Sequence, residues 1–209
     1  MKKLFLLFAT VLFLYSCTSK EEKAQELIKN DMYKTLFDFE SYEPIETIID
    51  SAYYSVYTDT AFLNKGYRLA AILKILDENI DEIKDAQTTM NIWGDSYTAL
   101  GRSKYNEAKA KADSRIKTSK IFLALTDSIS SQIKDMAKAI SSDFIGWKAT
   151  HKFRCKTKGG QPTIGNYVYI FDKDIKKIIY KEDTEDEDLT KAKNLIKEAL
   201  NKKETEVNE

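Results

Sequence analysis

Residues 145–158 alternate strictly, with Ile145, Trp147, Ala149, His151, Phe153 and Cys155 on one side and Gly146, Lys148, Thr150, Lys152, Arg154 and Lys156 on the other. A period of two is the mark of an extended strand, whose successive side chains point to opposite faces. A helix would scatter the same apolar set around its circumference. The chain is therefore expected to build a sheet with one dry face and one wet face.

Other stretches supply its neighbours. Residues 42–57 are rich in β-branched and aromatic side chains, with Ile45, Ile48, Ile49, Tyr53, Val56 and Tyr57, and read as a long strand bulged near Asp50 and Ser51. Pro44 has no amide to donate, so it belongs at that strand's start or on an edge. Beyond the turn residues Gly159, Gly160, Gln161 and Pro162, the segments 164–171 and 175–180 read as two more strands joined by Asp172, Lys173 and Asp174. The last three strands form an antiparallel meander.

Helical periodicity occupies the rest. Ser19 and Glu22 have capping-box spacing, and Ala24, Leu27, Ile28, Met32 and Leu36 follow at helical intervals, with Phe37, Phe39 and Tyr42 as an aromatic cluster. From residue 60 onward Leu69, Leu73, Leu76, Ile80 and Ile83 form one heptad series. Tyr105, Ala108, Ala112, Ser119, Phe122, Ile129, Ile133, Met136 and Ile140 form another. Their connection through Trp93 and Gly94 to Leu100 and Gly101 predicts a long antiparallel hairpin, thin and polar in its seam over 110–120. Thr184 and Glu187 repeat the capping box ahead of Leu189, Ala192, Ile196 and Ala199, the apolar face of a last helix. The expected class is α+β: an antiparallel sheet of about four strands, helices on one face, flanking N- and C-terminal helices, and the hairpin inserted over 60–142.

At the amino terminus Lys2 and Lys3 precede an apolar run over 4–15 that is too short to span a bilayer. The run ends in Leu14, Tyr15, Ser16 and Cys17, which resembles a bacterial lipobox. That resemblance implies a signal peptide over 1–16, diacylglyceryl transfer to the Cys17 thiol, cleavage before Cys17 and acylation of the new terminus. One α+β domain over 17–209 would follow. Thr18, Ser19, Lys20, Glu21 and Glu22 look like the export signals of Bacteroidota lipoproteins. Tyr42, Glu43 and Pro44, with the run from His151 to Lys156, Gly159 and Gly160, and Phe171 with Asp172, are similar to small Bacteroidota lipoproteins of unassigned activity. The likeness implies a lipid-anchored protein of the cell envelope, at the outer membrane and exposed at the surface, with no catalytic residue to carry over.

The residues themselves point to little chemistry. With 33 cationic and 33 anionic side chains, no global field draws the chain to nucleic acid. The single histidine, His151, lies on the apolar face and is expected to be a hydrogen-bonded core residue. Metal sites need several converging ligands, and no Gly-x-Ser-x-Gly elbow accompanies it for nucleophilic catalysis. Cys155, without a partner if Cys17 carries lipid, reads as packed. No catalytic residue, metal or cofactor is expected. Two surfaces remain as candidates. One is the cationic wet face Lys148, Lys152, Arg154 and Lys156, continued by Lys158 and with Tyr167 and Tyr169 placed beside it, for an anion or partner. The other is Trp93 and Tyr97 at the hairpin turn, for a partner contact. The expectation is a non-catalytic binding or interaction module for an envelope protein or glycan. An enzyme of envelope polymers and a structural component of an envelope assembly are the alternatives.

Overall fold

A computed structural model describes residues 19–202, so the signal segment and Cys17 lie outside the described residues. It shows the expected α+β order: α1 (Lys20–Thr35), β1 (Glu43–Tyr53), α2 (Thr60–Trp93), α3 (Ala99–Lys138), β2 (Phe144–Lys156), β3 (Pro162–Phe171), β4 (Ile178–Asp183) and α4 (Glu187–Asn201). None of the described helices is long and apolar enough to cross a membrane. The chain divides into two compact units. A sheet unit takes the residues up to 54 together with 142–186, and a helical unit takes 55–141 and the chain from 187 onward.

In the sheet unit the four strands lie in the order β1-β2-β3-β4, every neighbour antiparallel. The capping box opens α1 as expected: Glu22 N–H donates to Ser19 Oγ at 3.1 Å, and Ser19 N–H donates to Glu22 Oε2 at 2.9 Å. Ala24, Ile28 and Met32, four residues apart and so on one stripe, are fully buried against Ala149, Phe153, Tyr169 and Phe171. The expected bulge near Asp50 and Ser51 is absent there. The register slips instead between Pro44 and Glu46 and between Ala52 and Tyr53, the first beside the residue that cannot donate to the ladder.

The β3–β4 connection also differs from expectation, because β4 begins at Ile178 rather than Ile175. Asp172 Oδ1 accepts from the amides of Lys176 at 2.6 Å and Lys177 at 3.2 Å, which extends the turn. Ile175 sits within that turn at φ 54°, 5 % exposed, and plugs the core instead of starting the strand. Thr184 likewise does not cap α4. Its hydroxyl and amide both donate to the Asn166 carbonyl and close the sheet, and α4 starts at Glu187.

In the helical unit Asp59 caps α2 through the amides of Ala61 and Phe62, and Thr98 caps α3 through Gly101. At 34 and 40 residues the two arms are about 50 and 60 Å long. The α2 side of the seam is Leu69, Ile72, Leu76, Asn79 and Ala86, one position away from the expected Leu73 and Ile80, of which Ile80 is 47 % exposed. Asn79 occupies the seam because its side-chain amide donates to Ser119 Oγ on α3 at 3.3 Å. Further out the helices meet through Ala86, Ala108 and Ala112, flanked by Glu82, which holds Arg115 at 2.7 Å and Lys111 at 3.3 Å. Ile116 lies outside this seam.

The C-terminal helix buries Leu189, Ala192, Ile196 and Ala199, the face expected, and packs against α2 and α3. Gly66 makes the close approach possible, since a Cβ there would stand 2.6 Å from the Ala192 carbonyl oxygen. Gly66→Val should accordingly destabilise the helical unit by about 1 to 3 kcal/mol through overpacking. Hydrogen exchange should show α4 amides losing protection while those of β2 and β3 keep theirs, and unchanged α4 protection would contradict the contact.

Candidate functional site

His151 is 1 % exposed on the inner sheet face. Its Nε2 lies 2.9 Å from Tyr42 Oη and its Nδ1 2.9 Å from Thr47 Oγ1. With the phenol donating to Nε2, Nδ1–H donates to the threonine, and a neutral ring is satisfied on both sides. Burial lowers its pKa to about 4, against a smaller opposite pull from the Glu46 backbone. Both ring nitrogens are committed to structural partners, so the imidazole is held neutral and oriented within the core. Cys155 is buried too, its thiol pushed up by burial and then by the Asp38 carboxylate, which disfavours the reactive thiolate.

Next to them Tyr169 donates to Asp31 Oδ2 at 2.9 Å, and the same oxygen takes Lys181 at 2.5 Å. Lys181 Nζ also stands 4.7 Å from the Tyr167 ring centroid. Burial, followed by the Asp31 carboxylate, keeps the Tyr169 phenol protonated. This network ties α1 to β3 and β4.

Lys148, Lys152, Arg154 and Lys156 do share the outer face of β2. Tyr167 and Tyr169 are not beside them, which corrects the expectation: they pair with His151 and Ala149 and therefore point to the inner face. The cations meet acids instead. Asp50 lies opposite Lys148, Glu46 opposite Lys152 and Glu43 opposite Arg154, the last pair 3.5 Å apart. Cross-strand partners share a face, so the acids that face the stripe come from β1. Lys156 pairs with Pro162 beyond the start of β1.

At the hairpin turn the two aromatic residues diverge. Trp93 is half-buried, whereas Tyr97 is 92 % exposed and has Ile92 and Leu100, each more than 60 % exposed, as near neighbours in the chain. Sequence reading singled out the aromatics and missed the two aliphatics. A second exposed apolar run, Ile121, Leu123 and Leu125, lies midway along α3. The helical unit also carries an open cleft of about 720 Å³ lined by Leu69, Leu73, Thr126, Ser130, Leu195 and Ala199 among others. Among the described residues no group of His, Cys, Asp and Glu is placed to hold a metal ion.

Comparison of the chain with protein-family models, with curated proteins and with solved structures finds no match in any of the three.

Proposed function

We propose that the protein is a lipid-anchored envelope lipoprotein that acts as a non-catalytic binding module, with the hairpin tip as its contact surface. The observation that supports this reading most is the exposed cluster Ile92, Tyr97 and Leu100, three large apolar side chains within nine residues of a turn that polar residues would ordinarily occupy. An exposed aromatic anchor flanked by aliphatics is the composition of a protein contact rather than of a solvated turn. The commitment of His151 to Tyr42 and Thr47 supports a non-catalytic reading of the sheet unit.

The test is photo-crosslinking in intact cells. A photoreactive residue at Tyr97 should give a discrete adduct with an envelope protein, while the same residue at the exposed shaft position Lys109 should not. Equal adducts at both positions, or none at Tyr97, would refute the tip as the contact. In the same cells a fatty-acid analogue should label the native protein and not Cys17→Ser.

A further inference from the structure

Beneath the first turn of α1 the rim of the sheet unit carries a patch of aromatic rings and lysines. Lys20 Nζ stands 3.5 Å from the Trp147 ring centroid, and Trp147 packs edge-on against Phe144 with centroids 5.6 Å apart. Phe144 in turn meets Tyr53 at 6.0 Å, and Tyr53 is 55 % exposed. Lys173 Nζ lies 6.0 Å from the Phe144 ring, and its carbonyl accepts the Trp147 indole N–H at 3.1 Å. Lys20 and Lys173 are exposed and lie over rings, with no carboxylate partner among the described residues.

Tryptophan and tyrosine with an apolar body and a polar edge, interleaved with exposed lysines whose heads lie over the rings, is the chemistry of a membrane interface. The position of Cys17 matters here. It stands only two residues before Ser19, so its Cα can be no more than about 7 Å from that of the helix cap. An acyl chain held at Cys17 cannot enter a bilayer without bringing the first turn of α1, and the rings under it, to the headgroups.

We infer that the Tyr53, Phe144 and Trp147 face, with Lys20 and Lys173, docks on the phospholipid headgroups of the membrane that holds the Cys17 acyl chains. The sheet unit is thereby seated on the bilayer in one orientation. This rests on the lipoprotein reading above and adds a contact that acylation alone does not require.

The native protein carrying Trp93→Phe leaves Trp147 as the sole indole. Reconstituted in phosphatidylethanolamine and phosphatidylglycerol vesicles containing a lipid spin-labelled at the headgroup, it should lose roughly half of its emission, as an indole at headgroup depth does. Lys20→Glu with Lys173→Glu, both at exposed positions, should lose most of that quenching while the amino-terminal peptide keeps its acyl mass. An acylated protein whose Trp147 is unquenched, or is quenched equally in the charge-reversed variant, overturns the docked face and leaves the anchor standing. A terminal peptide without acyl mass overturns the anchor, and the docked face with it.

Discussion

Gly146→Ala should cost the sheet unit about 4 kcal/mol, the sum of a strained backbone and an overpacked one, each worth about 1 to 3. Gly146 is buried in β2 at φ 151°, a region that side chains with a Cβ rarely enter. A Cβ built there would lie 1.9 Å from the Phe171 carbonyl oxygen and 2.8 Å from the Asp172 carbonyl carbon. Both are backbone atoms of the adjoining strand and turn, so no side chain can rotate away to make room. Domain stabilities are about 5 to 15 kcal/mol, and a loss of this size removes a large share of one. The two tryptophans allow a clean reading, because Trp147 lies in the sheet unit and Trp93 in the helical unit. In a Trp93→Phe background the urea midpoint of Trp147 emission should fall by about 2 M, taking about 2 kcal/mol per molar for a unit of this size. An unchanged midpoint would mean that β2 can part from β3 at this end without penalty.

Local pattern made most of the elements legible. The strict alternation of β2 and the capped stripe of α1 needed no partner to be read, because each encodes its own period and its own buried face. What depended on a partner was not legible. Asn79 reads as polar and therefore as outside the seam, and only Ser119, forty residues further on, gives it the hydrogen bond that makes a seam position affordable. The inner face of α4 was correctly identified from Leu189, Ala192, Ile196 and Ala199. Its resting place on α2 depends on Gly66 meeting Ala192, a steric match that no hydrophobic period reports.

The candidate surfaces show the same division. Parity along β2 placed its four cations on one face, but which residues stand beside them depends on strand register. Tyr167 opposite His151 fixes the parity of β3 and sends both tyrosines inward, and the acids that balance the stripe come from a strand a hundred residues earlier in the chain. The exposed aliphatics of the hairpin tip could have been found, since Ile92 and Leu100 flank the turn and fit neither heptad series. The patch around Trp147 and Phe144 could not, for Tyr53 and Lys20 are brought to β2 from two other elements.

His151 should make the sheet unit acid-sensitive. Its folded pKa is about 4, below the ordinary 6.5, because burial penalises the imidazolium. Above pH 6.5 the ring is neutral in both states and the full stability is present. As pH falls from 6.5 toward 4 the unfolded chain binds a proton that the folded ring does not. Stability therefore declines by about 1.4 kcal/mol per unit and by about 3 kcal/mol in all. Below about 4 the folded ring takes the proton as well, and this contribution to the slope ends. Protonation also turns Nε2 from an acceptor of the Tyr42 hydroxyl into a donor, so the phenol, kept protonated by burial, must rotate its own hydrogen away to accept. His151→Gln removes the titration while keeping one acceptor and one donor in reach of Tyr42 and Thr47. Its stability at neutral pH should be lower than the native protein's, since the amide fills less of the space beside Phe153, whose ring stacks on the imidazole at 5.6 Å. Its pH slope is the decisive readout. Urea unfolding followed by Trp147 emission at several pH values should give a curve flatter than the native one by about 1 kcal/mol per unit between pH 6 and 4.5, whatever its offset, because the carboxylates common to both proteins cancel in the difference. Parallel curves would show that the ring is protonated in the folded state, and that the two hydrogen bonds hold an imidazolium rather than a neutral histidine.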